Sequence, residues 1–308
     1  MRRSSLTWIA PSVGIVLVLA SISSVQLGAA IGKSIFDEIS AAGLTFVRLL
    51  LAATVMLAVA RPRPGGWARS TVLEVVAFGA VLGTMNLLYY ASLERIPLSV
   101  AVTLELVGPL AVALMHSRRI ADGAWVLCAA AGVAIIAIQG FEGSLDILGC
   151  VLALLAGACW GGYILLSQRV GAKVPGLSGL SAAMLVGALV ALPFGAPAAV
   201  AAVAASPAVL GPAALVALLS SVLAYGLELL ALRRITAHSF GVFMALEPAS
   251  AALFGFVVLA EHVGPLDAIA IALVIVASAG VAVTSTRTRP PRPGTGPVDL
   301  PDGMPPIP

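Results

Sequence analysis

Apolar residues in this chain fall in long runs separated by short polar connections. The runs cover residues 11–31, 40–60, 75–93, 96–115 and 123–140, then 147–168, 177–194, 213–232, 239–260 and 268–286. A membrane span takes about 20 mostly apolar residues to cross a hydrocarbon core of roughly 30 Å, so the pattern predicts ten transmembrane helices. Between the seventh and eighth runs, Gly195, Pro197, Pro207, Gly211 and Pro212 mark a loop, although it is almost uncharged.

Composition closes the alternative of a soluble fold. Of 308 residues, 60% are apolar and 10% charged, against roughly 25% charged in soluble domains. The formal charge of +3 would suggest nucleic acid in a soluble protein. Here the basic residues sit in the connections, so the charge reports topology and not a nucleic-acid partner. Cys128, Cys150 and Cys159 lie in or at the edge of apolar runs without metal-ligand spacing, and read as packing residues. Arg2 and Arg3 ahead of an apolar run imitate a signal peptide. No soluble domain follows, so the run is expected to be a retained first helix behind a short cytoplasmic segment, residues 1–10. Residues 287–308 hold eight of the 20 prolines and are expected to form a disordered cytoplasmic tail.

Sorting Lys and Arg onto alternate sides gives the orientation. Arg2, Arg3, Arg61, Arg63, Arg69, Arg118, Arg119, Arg169, Lys173, Arg233, Arg234, Arg287, Arg289 and Arg292 collect on one side, and Lys33 and Arg95 on the other. Fourteen against two, with Arg48 inside a helix, accounts for all 17 and puts both termini in the cytoplasm. A shift of 139 residues, the separation of Pro109 and Pro248, also places Arg95 on Arg234, Ile96 on Ile235 and Leu93 on Leu232. Five spans per unit force the two units to face opposite ways. The expected fold is an all-α integral membrane protein of two inverted five-helix repeats, 11–140 and 141–286. Transporters built this way bind substrate near the midplane, where the halves meet.

An ionisable side chain at the bilayer centre costs about 2.5–3.5 kcal/mol on insertion scales, so such groups mark a cavity or a partner. Arg48 in the second span, Glu105 in the fourth, Glu228 in the eighth and Glu247 in the ninth qualify. The 139-residue shift sets Glu105 on Met244, one turn from Glu247, so both carboxylates fall on related faces of related helices. A carboxylate at that depth can exchange a proton or hold an ammonium group. Arg48 is open to two readings, a structural ion pair with one glutamate or a clamp for a substrate carboxylate.

Pro109 and Pro248 each follow a glutamate within about a turn. A mid-helix proline frees a backbone carbonyl, tolerated in a membrane when buried in protein or facing a water-filled cavity. The pair is a candidate hinge, with a static packing kink as the other reading. Gln26, Asn86, Tyr90, Trp160 and Tyr225, with Tyr89, Tyr163, Ser220 and Ser221, add polar and aromatic groups to the same helices. Such residues also serve membrane interfaces and helix-helix links. Gly28 with Gly32, and Gly157 with Gly161, have the spacing of close helix contact.

The sequence has no GxxxxGK(S/T), HExxH or GxSxG, so nothing suggests ATP hydrolysis, zinc hydrolysis or a serine nucleophile. No cofactor, metal or catalytic residue is expected. His116, His238 and His262 fall at span ends, where a solvated role fits.

The stretches 104–114 (LELVGPLAVAL), 157–165 (GACWGGYIL) and 240–249 (FGVFMALEPA) resemble the EamA-type transporters of the drug/metabolite transporter superfamily. Gly32-Lys33-Ser34 and Ser117-Arg118-Arg119 resemble the subgroup that exports threonine and homoserine. The resemblance spans residues 8 to 286. It implies ten helices around a central cavity and export across the bacterial inner membrane. With Glu105 and Glu247 as proton or ammonium sites, the expected function is export of a small amino acid such as threonine or homoserine, driven by a proton gradient. An exporter of drugs or other metabolites is the alternative, and it would need more aromatic lining than four Trp and four Tyr offer. An intramembrane enzyme would need a converging nucleophile and base or metal ligands, which the sequence does not supply. Expected partners are a small-molecule substrate and membrane lipid; no oligomeric state is implied.

Overall fold

The computed structural model describes residues 9–62, 64–115, 122–141, 145–174, 176–232, 234–235 and 237–285. All regular structure among them is helical. The first five spans are α1 (Ile9–Ser34), α2 (Ala41–Ala60), α3 (Arg69–Leu93), the pair α4 (Leu98–Glu105) and α5 (Val107–Met115), and α6 (Asp122–Phe141). The second five are α7 (Ile147–Lys173), α8 (Ser178–Ala205), the stack of α9 (Leu210–Ala217), a π-helical segment (Leu218–Leu223) and α10 (Ala224–Leu232), the pair α11 (Ala237–Met244) and α12 (Glu247–Leu259), and α13 (Pro265–Ser285). Among the described residues nine helical stretches are long and apolar enough to cross a membrane, and Gly123–Gln139 is a shorter apolar helix. The chain is a multi-pass membrane protein.

Large apolar side chains such as Val59, Leu73, Leu127, Phe194 and Val257 point outward, as they should where lipid is the solvent. Inside, α2 packs on α8, α3 on α7 and α8, α6 on α13, and α1 on α10 and α12. Small residues let backbones touch. A Cβ on Gly157 would stand 2.5 Å from the Glu105 carbonyl oxygen, and one on Gly83 would stand 2.6 Å from the Gly187 carbonyl oxygen. Cys150 is buried, and the Cys128 thiol reaches Leu273 O at 3.5 Å.

The two halves interlock with matching contacts. A Cβ on Gly14 of α1 would collide with Ile235, and a Cβ on Gly149 of α7 would stand 2.7 Å from Ile96 Cγ2. Ile96 and Ile235 are the residues that the 139-residue shift superimposes. The first helix of each half therefore docks on the connection between the third and fourth spans of the other half, which is the inverted-repeat arrangement.

Three local features depart from the sequence pattern. The stretch expected as a loop from Gly195 onward stays helical to Ala205, through Pro193 and Pro197. Its alanine-rich run favours helix, and backbone groups in lipid must be satisfied within the segment. The fourth and ninth spans are each broken once, at Leu106 and at Ala245–Leu246. The eighth is π-helical at its centre, and α1 serves the altered carbonyls: Ser24 Oγ donates to Leu219 O (2.8 Å), and Ser21 Oγ lies 3.2 Å from Ala224 O. Residues 1–8, Arg63, Arg118, Arg119, Arg233 and the expected tail 287–308 lie outside the described residues.

Candidate functional site

The breaks in the fourth and ninth spans lie just ahead of the two prolines. Pro109 and Pro248 cannot donate to the carbonyls four residues earlier, those of Glu105 and Met244, which are again related by the shift of 139. Both residues face one cavity of about 460 Å³ between the halves. Its wall also includes Gln26 from α1, Arg48 from α2, Asn86 and Tyr90 from α3, Pro109, Trp160 from α7, Glu228 from α10 and Glu247 from α12. Pro248 is buried in the first turn of α12. Tyr225 is in α10, but its side chain lies outside the described residues.

Arg48 is 5% exposed and is held on two sides. One guanidinium nitrogen donates to Asn86 Oδ1, and Asn86 is oriented by its own amide donating to Leu82 O at 2.8 Å. The Tyr90 ring lies beneath the guanidinium, with Cζ 4.8 Å from the ring centroid, a cation-π distance. Arg48 Nε has no hydrogen-bond partner. The ion pairs among the described residues are Lys33–Glu261, Arg95–Asp146 and Lys173–Glu74, and none of these residues' carboxylates lies within 4 Å of Arg48.

Glu105 and Glu247 are buried at the cavity wall. Glu228 lines the same cavity, with Oε1 3.3 Å from Ser21 Oγ. By helix direction the cavity runs from Arg48 and Tyr90 toward Glu228, Phe240 and Val281, the side on which the chain begins. The opposite side is closed. There Gly32 packs against Leu44 and Tyr90, and Lys33 Nζ bridges Glu261 Oε1 (2.6 Å) and Ile96 O (2.7 Å). Glu261 Oε2 accepts from Leu98 N at 2.8 Å.

Residues 147–283 match the family model described as EamA-like transporter family. The threonine/homoserine exporter RhtA of Escherichia coli is 41% identical over 258 residues, covering 83% of this chain and 86% of that protein. This chain belongs to the EamA-like transporter family. The threonine/homoserine exporter RhtA of Salmonella typhimurium is 39% identical over 262 residues, again 83% of this chain and 86% of the relative. A crystal structure of a protein 19% identical superposes with a TM-score of 0.55 over 91% of this chain and 99% of that one, a likeness of fold.

For an EamA-like transporter the cavity is the natural place for cargo, and its wall holds residues that the sequence alone did not mark. Ser278 of α13 lines it with an unpartnered buried hydroxyl, and Phe240 and Met244 stand at its α11 flank. A serine and two apolar residues inside apolar runs give no signal of burial or direction. Ser21 and Ser24 were equally silent, because their role follows from the π-helical segment opposite them. Gln26 carries an unpartnered buried Oε1 at the wall.

Proposed function

We propose that this transporter exports small hydroxylated amino acids, threonine and homoserine among them, across the bacterial inner membrane, driven by a proton gradient. The observation that carries the reading is Arg48: a buried cation held by Asn86 and Tyr90 at a cavity wall, with no ion pair within 4 Å among the described residues. A buried charge without a directly contacting counter-ion is costly, and the α-carboxylate of an amino acid supplies that contact with a geometry that the planar guanidinium matches. The names of the Escherichia coli and Salmonella relatives support the substrate class.

In this mechanism Arg48 takes the carboxylate, while Glu105 and Glu247 hold the ammonium group or a proton. Glu228 relays protons nearer the mouth. The breaks ahead of Pro109 and Pro248 are the hinges about which the halves rock. Both termini face the cytoplasm in this reading, supported by the basic side that includes Arg61, Arg69, Arg169, Lys173 and Arg234, so the cavity takes cargo from inside.

The test is efflux of labelled threonine from proteoliposomes with and without an imposed pH gradient. The reading requires saturable efflux that the gradient accelerates and an uncoupler slows. Gradient-insensitive leakage equal to that of protein-free vesicles contradicts it.

A further inference from the structure

Several hydroxyls in the spans are already bonded to the turn below them. Thr45 donates to Ala41 O (2.8 Å), Thr54 to Leu50 O (2.8 Å) and Thr103 to Ser99 O (2.6 Å), the usual back-bond of a helical hydroxyl. Ser220 and Tyr90 break this habit. Each has a buried hydroxyl oxygen without a hydrogen-bond partner, and each lines the cavity. An unmade bond on a buried hydroxyl is costly, so these two, with that of Ser278 on the same cavity wall, point to a ligand that completes them.

Helix α1 sets both positions. Ser220 Oγ occupies the space that a Cβ on Gly28 would need, and the Tyr90 hydroxyl lies 3.6 Å from where a Cβ on Gly32 would stand. The two glycines are one turn apart, a rise of about 6 Å. Ser220 lies in the π-helical segment Leu218–Leu223, an irregularity frequent at functional sites. The neighbouring Leu219 carbonyl is satisfied by Ser24, and the Ser220 hydroxyl beside it is left without a partner. Tyr90 also carries Arg48 on its ring face. One aromatic ring thus connects the carboxylate-binding group to one hydroxyl of the pair.

Resting on the amino-acid export reading above, we infer that Ser220 and Tyr90 form a subsite for the side-chain hydroxyl of the substrate. The subsite selects hydroxylated amino acids over their aliphatic isosteres. Valine has the shape of threonine with a methyl in place of the hydroxyl, so in its complex both oxygens stay unpaired. A site built to hydrogen-bond a hydroxyl rejects the analogue lacking it more strongly than an apolar pocket separates substrates by size.

The experiment is proteoliposome transport of labelled L-threonine and L-valine by the wild type, Ser220→Ala and Tyr90→Phe. The threonine-to-valine ratio is taken within each preparation, so differences in protein amount cancel. Tyr90→Phe keeps the ring under Arg48 and removes only the oxygen, and it decides the matter should Ser220→Ala fail to fold. The wild type should prefer threonine by roughly tenfold or more, and each variant should lower that preference at least about threefold. A wild-type preference retained unchanged in both variants, or a wild type that moves the two at equal rates, overturns the subsite and leaves the export reading standing. A wild type that moves neither amino acid overturns the export reading, and the subsite with it.

Discussion

Lys33 Nζ lies 2.6 Å from Glu261 Oε1, joining the last turn of α1 to the residue that follows the left-handed Ala260 at the end of α12. The pair lies on the closed side of the cavity, and Glu261 also holds the first turn of α4 through Leu98 N. Elements from both halves meet there, and an ion pair with side chains 19% and 16% exposed ties them together. That places it between exposed pairs, worth up to about 1 kcal/mol, and fully buried ones, whose breaking costs about 3–5 kcal/mol.

Opening that face should follow from Glu261→Gln. A loss of about 1–2 kcal/mol moves a two-state equilibrium roughly five- to thirtyfold. In a background with Cys128, Cys150 and Cys159 replaced, a cysteine at Ala29 should react several-fold faster with a membrane-impermeant maleimide applied from the Lys33 side. Unchanged labelling would show that the pair does not hold the face shut.

Arg48→Lys should lower threonine transport at least about tenfold. Lysine keeps the charge but loses the fork that serves Asn86 and a carboxylate together. Arg48→Ala should cost more, about 2–5 kcal/mol of substrate affinity, read as a rise in the half-saturation concentration. Equal transport by Arg48→Lys and the wild type would remove Arg48 from the binding site.

Close backbone approach makes Gly157 intolerant of a side chain. Gly157→Ala meets the Glu105 carbonyl, an obstacle that no rotamer relieves, and should destabilise by about 1–3 kcal/mol. Its Tm in detergent should fall, while Gly65→Ala, with nothing within 4 Å of the new methyl, should leave Tm unchanged. Equal Tm values for the two variants would refute the contact.

Asp146 gives a pH-dependent prediction outside the membrane. It caps α7, accepting from Gly149 N at 2.9 Å and from Arg95 at 3.0 Å. The Gly149 backbone bond, aided by Arg95, holds its carboxyl below the ordinary carboxylate value. A depressed folded pKa stabilises the fold above the unfolded value of about 3.9 and loses that contribution as pH falls through the folded pKa. The Tm difference between wild type and Asp146→Asn should therefore favour the wild type at pH 7 and shrink on acidification below about 4. A difference independent of pH would contradict the ionised cap.

Ten spans were legible because run length and charge segregation answer to the bilayer, which acts on every residue of a span. The charged positions were legible for the same reason: Arg48, Glu105, Glu228 and Glu247 are conspicuous in apolar runs, and all four line the cavity. What escaped depends on partners distant in sequence. Pro197 reads as a loop marker, yet α8 continues because α2 packs along it and lipid leaves its backbone no other partner. Lys33 reads as a topological charge until Glu261, 228 positions away, is placed beside it. Ser220 looks like any helical serine until the π-helical turn and Gly28 give its hydroxyl a direction.

Glu105 and Glu247 carry the central claim, that carboxylates on this shared cavity couple amino-acid export to protons. The decisive measurement is gradient-driven threonine efflux from proteoliposomes holding Glu105→Gln, Glu247→Gln or the wild type at matched protein content. The account predicts that an imposed pH gradient speeds the wild type, and that each variant loses this acceleration while still binding threonine. Acceleration equal to wild type in both variants would contradict it.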